Sequence, residues 1–307
     1  MAERLGFAFD IDGVLIRSGE PIPGARQALQ SVIDAQIPYI LLTNSAACTS
    51  EEKARTLSQT LDLHIPPEKV ILSHSPIPFF AKDLKDKLVV IAGRPNCRDV
   101  MEQHGFTNIL TTTDICNLIP DIYPYKTFPS PQLPSADVLT QRIHALFIVS
   151  DSDDWQRDLQ ISLDIAKCDG RLGSFSDQQV VPVFFSNPDF VYAAKYPIPR
   201  MTMGSFTLCL GTLFEHETGR KLEYVQFGKP QERHFEFAGK LLQGLGANRF
   251  IMIDDNPLSG IKGANQSDDW TSVLTLTGIA KENCGENPAD FVFDDVLCAM
   301  KHFLELN

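Results

Sequence analysis

Two aspartates, one residue apart, follow an apolar run close to the start of the chain. Asp10 and Asp12 come directly after residues 7–9, and Gly13 follows them. An acid at the carboxyl end of a buried strand is held rigidly with its oxygens facing the crevice where open α/β folds bind ligands. Gly13 lets the backbone bend so that both carboxylates approach one centre, and Mg²⁺ binds a few carboxylates together with phosphate oxygens. The pattern is one way to build a phosphate-handling metal site, but taken alone it is better explained by an ordinary strand end with an Asp-Gly turn.

A second acid pair, Asp254 and Asp255, ends the apolar run at residues 250–254. Adjacent carboxylates repel each other and are costly to remove from water, so an unpaired buried pair is a poor structural element. A bound cation resolves this conflict. Pro257 then predicts that a helix begins directly after the pair. The sequence therefore predicts that this strand end also contributes to a metal site.

Two further runs also end in polar side chains. Thr43 ends residues 37–43 and Asn44 follows it, and a hydroxyl with the free N–H groups of a turn suits a phosphoryl oxygen. Lys229 follows residues 224–227 and could neutralise a phosphate beside a negative nucleophile. Taken alone, these features are better explained by turn chemistry and by a solvated surface lysine. Two acid pairs, a Thr-Asn turn and a lysine at four strand ends of one sheet together indicate phosphoryl transfer.

The elements that must position these residues are short apolar runs alternating with helical patterns. This alternation predicts an α/β fold with a doubly wound parallel sheet. The runs are residues 5–10, 37–43, 70–73, 224–227, 250–254 and 272–276. The middle of the chain has further runs at residues 88–92, 145–149 and 181–185. We predict a core domain of residues 1–84 and 205–307, into which a second α/β domain of residues 85–204 is inserted.

Composition limits the classes of function. The chain has 307 residues, of which 43% are hydrophobic, so it can bury one or two cores. Its formal net charge of -12 argues against a nucleic-acid partner, and no apolar stretch is long enough to span a membrane. Its seven cysteines form no Cys-x-x-Cys pattern, as expected of free thiols in a reducing compartment. We expect a cytoplasmic location, with a mitochondrial location as the alternative.

The motifs, in their order along the chain, resemble a known group. The order Asp10-x-Asp12-Gly, Leu-Leu-Thr43-Asn, Gly-Lys229-Pro and Asp254-Asp255 is similar to the four motifs of the haloacid dehalogenase superfamily of Asp-based phosphatases. The insertion is similar to the C2-type cap of subfamily IIA. Residues 149–160, 185–189 and 199–204 resemble cap segments of the cat-eye-syndrome-critical-region protein 5-like branch. The resemblance covers nearly the whole chain and implies a Rossmann-like core with an inserted cap.

The resemblance implies a Mg²⁺-dependent phosphatase that hydrolyses a small phosphorylated metabolite. Asp10 would be the nucleophile and form an aspartyl-phosphate, and Asp12 would act as general acid and then general base. Thr43, Asn44 and Lys229 would bind the phosphoryl oxygens. The competing interpretation is a non-enzymatic binding or regulatory protein that keeps the fold with a weakened metal site.

The implied metal ligands are the carboxylates of Asp10 and Asp255 and the backbone carbonyl of Asp12. In the family's fourth motif, Gly is usual where this chain has Asp254, and a second acid is usual where it has Gly260. Either Asp254 supplies the missing carboxylate, which is the interpretation we favour, or the affinity for Mg²⁺ is reduced.

The inserted domain offers three candidate substrate-binding residues, Asn187, Asp189 and Arg200. They lie in the segment that returns to the core, but a turn of the Asn-Pro-Asp type explains the first two equally well. The cap is also the surface through which we expect a homodimer to form.

Overall fold

The computed structural model describes residues 3–128, 133–192, 196, 198, 200–283 and 285–305. The strands, in chain order, are β1 (Leu5–Phe9), β2 (Ile16–Arg17), β3 (Glu20–Pro21), β4 (Tyr39–Leu42), β5 (Val70–Ile71), β6 (Val89–Ala92), β7 (Ile109–Thr111), β8 (Ala145–Ile148), β9 (Val183–Phe185), β10 (Val191–Tyr192), β11 (Arg200–Met201), β12 (Tyr224–Gln226), β13 (Arg249–Asp254), β14 (Trp270–Thr275) and β15 (Phe291–Phe293). The α-helices are α1 (Ala25–Asp34), α2 (Ser50–Leu61), α3 (Ile77–Phe80), α4 (Cys97–Gln103), α5 (Thr112–Leu118), α6 (Trp155–Lys167), α7 (Met203–Thr218), α8 (Glu232–Gly244), α9 (Lys262–Ala264) and α10 (Val296–Glu305). Shorter helical turns are Pro67–Lys69, Lys82–Leu84, Pro120–Ile122, Ala136–Thr140 and Pro257–Ile261.

The chain divides into two compact units. The first comprises Met1–Ser45, Ser50–Ser73 and Gly228–Asn307, and the second comprises Ala46–Thr49 and His74–Phe227. These bounds differ from those of the predicted domains, because residues 46–49, 74–84 and 205–227 lie in the second unit.

The first unit contains a six-stranded parallel sheet in the order β15-β14-β13-β1-β4-β5. From β1 the chain proceeds to β4 and β5 on one side, whereas β13, β14 and β15 lie on the other side. The strand order therefore reverses between β1 and β13. In open α/β sheets, ligands bind beyond the carboxyl ends of the strands at such a point. Asp10 directly follows β1 and Asp254 ends β13, so both acids lie at this point.

The second unit contains a five-stranded parallel sheet in the order β12-β9-β8-β6-β7. Alternate side chains enter two different cores: Val90 and Leu146 pack in one, and Val89 and Phe147 in the other. Both faces of this sheet are therefore covered, which explains why its strands are apolar throughout.

The prediction that residues 224–227 belong to the core sheet is wrong. Strand β12 pairs with β9, and Tyr224 lies opposite Val183 in the second sheet. A short apolar run indicates a strand, but it carries no information about which sheet the strand joins. Strands β7 and β15 and the hairpins β2–β3 and β10–β11 were not predicted.

The α/β class with a parallel core sheet and an inserted second domain is confirmed. In the part of the chain described by the structure, no helix is both long enough and apolar enough to cross a membrane.

Two buried histidines of the second unit contact each other. Nδ1 of His74 lies 2.8 Å from Nε2 of His104, and Nε2 of His74 lies 3.0 Å from the carbonyl oxygen of Cys48. Burial lowers the pKa of His74 to about 4. Burial, the neighbouring His74 and the charge of Lys85 together lower the pKa of His104 to about 3. Both imidazoles are therefore neutral at pH 7.

Candidate active site

Asp10 is buried at the carboxyl edge of the first sheet. Its backbone N–H donates to the carbonyl of Ile253 in β13 at 2.8 Å, which fixes its position between the two central strands. Its Oδ1 accepts a hydrogen bond of 2.7 Å from Nζ of Lys229. Burial raises the pKa of Asp10 well above its ordinary value; Lys229 opposes this effect, and the carboxylates of Asp254 and Asp255 add to it. A second positive charge beside these acids would reduce the repulsion among their carboxylates and favour their ionised forms.

Lys229 lies between two acids and is 2% exposed. Its Nζ donates to Asp10 at 2.7 Å and to Asp254 at 2.6 Å. Burial alone would lower the pKa of Lys229, but the two carboxylates raise it above its ordinary value, so the side chain is an ammonium. The alternative of a solvated surface lysine is therefore wrong for this residue.

Asn44 holds the backbone of Lys229. Its Nδ2 donates to the carbonyl of Lys229 at 2.9 Å, and its Oδ1 accepts from the N–H of Lys229 at 2.7 Å. The side-chain amide thus pairs with one residue in the way that a neighbouring strand would. Asn44 therefore fixes the position of Lys229, which lies far away along the chain. Turn chemistry alone, the alternative for this segment, involves only neighbouring residues and does not explain these two hydrogen bonds.

Asp255 is packed between glycines. Its Oδ2 accepts a hydrogen bond of 2.6 Å from the backbone N–H of Ile279. A Cβ at Gly13 would lie 2.5 Å from this Oδ2, and a Cβ at Gly278 would collide with the same atom. Only glycine allows such close approach of backbone to carboxylate. Burial and, to a smaller extent, the charge of Asp254 together raise the pKa of Asp255 to about 6.

Asp254 occupies the space that Gly260 leaves free. Its Oδ2 accepts from Lys229, and its Oδ1 accepts a hydrogen bond of 2.8 Å from the backbone N–H of Asn256. A Cβ at position 260 would lie 2.6 Å from Cγ of Asp254. The acid at position 254 and the missing side chain at position 260 are therefore spatially linked.

The three buried aspartates form a donor set suited to a hard cation. Asp10, Asp254 and Asp255 each offer an oxygen, and these oxygens lie within 4.8 Å of one another. The three acids surround the single ammonium of Lys229, so they can carry more negative charge than this one cation balances in a buried space. Mg²⁺ prefers such oxygen ligands and carries the compensating charge, so the residues present fit this ion.

Asp12 lies outside this buried group. Its side chain is 61% exposed, and its Oδ2 lies 3.6 Å from Nζ of Lys53 in α2. The side chain of Lys53 is only 15% exposed. Lys53 was not predicted as a functional residue, because one lysine on an amphipathic helix carries no distinguishing signal.

Thr43 follows β4, which pairs with β1, so it lies at the same edge of the sheet as Asp10. The residue is buried, its backbone N–H donates to Ile71 at 3.0 Å, and its Oγ1 accepts from the N–H of Ser45 at 3.2 Å. The hydroxyl thus takes part in turn chemistry, and its oxygen is available at the edge that carries the acids.

The three candidates of the inserted domain lie in the second unit. Oδ1 of Asn187 accepts a hydrogen bond of 2.8 Å from the N–H of Asp189, which is the turn that was the alternative for this segment. Arg200 is exposed in β11, with its guanidinium 5.2 Å from the ring centre of Tyr196. Pro199, in the segment that resembles a cap, lies outside the described residues. The role of these side chains in binding substrate stays a prediction.

Comparison with known proteins identifies the family. A family model described as haloacid dehalogenase-like hydrolase matches residues 7–107. A mitochondrial hydrolase of Saccharomyces cerevisiae is 31% identical, over 99% of this chain and 96% of its own length. The chain belongs to the haloacid dehalogenase-like hydrolases. The hydrolase is also 32% identical to dihydroxyacetone phosphatase of Corynebacterium glutamicum, over 34% of this chain and 38% of that protein. Its fold matches that of a hypothetical protein from Pyrococcus horikoshii with a TM-score of 0.73 at 18% identity, covering 97% of this chain and 99% of the other.

Proposed function

We propose that this hydrolase is a Mg²⁺-dependent phosphatase that cleaves small phosphomonoesters through an aspartyl-phosphate at Asp10. The buried group of three carboxyl groups around one ammonium carries the proposal, because it offers a divalent cation several oxygen ligands and more acids than Lys229 alone can balance. The similarity to a protein named dihydroxyacetone phosphatase supports a small phosphorylated substrate.

Asp10 is the proposed nucleophile. Lys229 binds its Oδ1, which orients the carboxylate and leaves Oδ2 to attack phosphorus in line with the leaving group. A bond forms between Oδ2 and phosphorus as the ester bond breaks. Asp12 donates a proton to the leaving oxygen and later removes one from the water that hydrolyses the aspartyl-phosphate.

The carboxylates of Asp10 and Asp255 and the backbone carbonyl of Asp12 would hold Mg²⁺, and Asp254 adds a carboxylate beside them. The ion, when bound, screens the repulsion between the nucleophile and the phosphoryl group. In this proposal the Thr43 hydroxyl binds a phosphoryl oxygen. The side-chain amide of Asn44, which was predicted to do the same, instead holds the backbone of Lys229 in place.

Further parts of the proposal concern the inserted domain and the location. Asn187, Asp189 and Arg200 would contact the organic part of the substrate, and a homodimer would form through this domain. The name of the yeast relative supports a mitochondrial location as an alternative to a cytoplasmic one. Microscopy of the tagged chain in cells distinguishes the two.

The test is phosphate release from para-nitrophenyl phosphate with Mg²⁺ and with a chelator. We expect activity that requires the ion, is lost in Asp10→Asn and is kept in the control Asp34→Asn, which alters an exposed helix residue. A radiolabelled phosphoryl group should be recovered on the wild type after rapid quenching. Substantial activity in Asp10→Asn, after deamidation is excluded, contradicts the nucleophile assignment. Failure to hydrolyse any of a panel of phosphomonoesters would instead support the non-enzymatic alternative.

A further inference from the structure

A lysine that the proposed reaction does not use is directed at the general acid. Nζ of Lys53 lies 3.6 Å from Oδ2 of Asp12. Lysine side chains are mostly exposed in proteins, yet the side chain of Lys53 is 15% exposed while that of its partner is 61% exposed. The aliphatic stem of Lys53 is thus packed against the protein, and its charge is held in one place.

The pair leaves the ammonium of Lys53 with capacity for a further anion. A distance of 3.6 Å exceeds the range of a hydrogen bond between nitrogen and oxygen, which is about 2.7–3.2 Å. Among the described residues, Asp12 is the acidic side chain within ion-pair distance of Lys53. Lys229, by contrast, is bound to two carboxylates at 2.7 and 2.6 Å.

We propose that Lys53 forms a cationic subsite for the leaving group, so that the hydrolase prefers phosphomonoesters whose organic part carries a carboxylate or another anion. The inference rests on the proposed function, in which Asp12 protonates the leaving oxygen. That oxygen must then lie within about 3 Å of the Asp12 carboxyl. Since Lys53 is 3.6 Å from the same carboxyl, an anionic group a few bonds along the leaving group reaches its ammonium.

Charge supports this assignment. The whole chain carries a formal net charge of -12, so its overall charge repels an anionic substrate. An anionic leaving group would be repelled without a fixed cation, whereas a neutral one would need none. In this proposal Lys53 therefore determines the preference for phosphomonoesters whose organic part is anionic.

The test compares two substrates that differ only in charge, 3-(phosphonooxy)propanoate and its primary amide. The kcat/KM ratio of acid to amide is measured for the wild type, Lys53→Met, Lys53→Arg and the control Arg55→Met, which alters an exposed residue two positions along α2. We expect the ratio to fall about tenfold or more in Lys53→Met, as is usual when a hydrogen bond to a charged group is lost. Lys53→Arg should keep most of the preference, and the control all of it.

Two outcomes overturn the inference. One is a wild type that does not prefer the acid, and the other is an equal loss for both substrates in Lys53→Met, which would mean that the lysine only positions Asp12. Thermal unfolding of each variant shows whether it is folded. Calorimetric binding of both compounds to Asp10→Asn makes the same comparison without turnover. Absent turnover in the wild type therefore contradicts the proposed function, whereas equal binding of acid and amide contradicts the Lys53 subsite.

Discussion

Replacing Gly260 by alanine tests whether position 260 and the Asp254 carboxylate compete for one space. The new Cβ would collide with Oδ2 of Asp254 and lie 2.6 Å from its Cγ, whereas ordinary contacts begin at 3.4 Å. Cγ must therefore move by at least about 0.8 Å, and Oδ2 must move further. The hydrogen bond from Lys229 to Asp254, now 2.6 Å, then lengthens beyond the range of about 2.7–3.2 Å.

The expected loss of stability follows from this displacement. Forcing a methyl group into a packed interior costs about 1–3 kcal/mol, and weakening a hydrogen bond to a charged group costs about 1.5–3 kcal/mol. Because both effects come from one movement they are not additive, and we expect Gly260→Ala to lower the free energy of unfolding by about 3 kcal/mol. In an Asp254→Gly background the obstacle is gone, and the same change should cost nothing or stabilise by about 0.5–1 kcal/mol.

Urea unfolding of the four proteins in the presence of a chelator measures this coupling. An equal cost of Gly260→Ala in both backgrounds would refute the shared space. A parallel cycle measures Mg²⁺ binding by calorimetry: Asp254→Gly should weaken binding, and Gly260→Asp in that background should restore it, because the carboxylate then comes from the other side of the same space. If Gly260→Asp restores nothing, Asp254 does not replace the missing ligand.

Three further predictions concern Asp12, Arg200 and the histidine pair. Asp12→Asn should still capture a phosphoryl group from an aryl phosphate but release it slowly, so mass spectrometry should detect a phosphoenzyme, and failure to accumulate it contradicts the base role. Arg200→Ala should raise the KM of the physiological substrate more than it changes turnover of an aryl phosphate, whereas equal effects indicate a structural role. His74 and His104 bind protons in the unfolded chain below about pH 6.5 but stay neutral in the folded chain down to about 4, so their contribution to stability is complete above pH 6.5 and is lost as the pH falls. When the pH falls from 7.5 to 5.5, the free energy of unfolding of the wild type, measured with urea, should therefore decrease by about 3 kcal/mol more than that of the double variant His74→Asn with His104→Asn. An identical pH dependence of the two proteins would contradict this prediction.

The positions of the acids could be predicted because they depend on strands that are buried on both faces. Residues 5–10 and 250–254 are apolar until the acid appears, and in a parallel sheet such a strand places the next residue at the carboxyl edge. The structure has β1 and β13 as neighbours, so the acids that follow them lie together. The apolar runs, and the burial that they imply, are therefore enough to predict where these acids lie.

Other features depend on packing that no local pattern encodes. Lys229 follows β12, and β12 belongs to the sheet of the second unit because it pairs with β9. This pairing is a tertiary contact that the apolar run of β12 does not encode. The absence of an acid at Gly260 is visible in the sequence, but the overlap of its missing side chain with Asp254 is a three-dimensional property. Asp12 and Lys53 become a pair only because α2 packs near the end of β1, and the side chain of Asp12 leaves the buried group although it is two residues from Asp10.

The pairing of the Asn44 amide with the backbone of Lys229 has an evolutionary consequence. The two residues are 185 positions apart, and the intervening chain includes all of residues 74–227. Because the entropy of closing a loop grows only with the logarithm of its length, doubling such an insertion costs about 0.6 kcal/mol. Two hydrogen bonds at the point where the chain returns are enough to offset such a change. A lineage can therefore enlarge, shrink or exchange the inserted unit while the catalytic half is inherited unchanged, and new substrates can be acquired without rebuilding the chemistry.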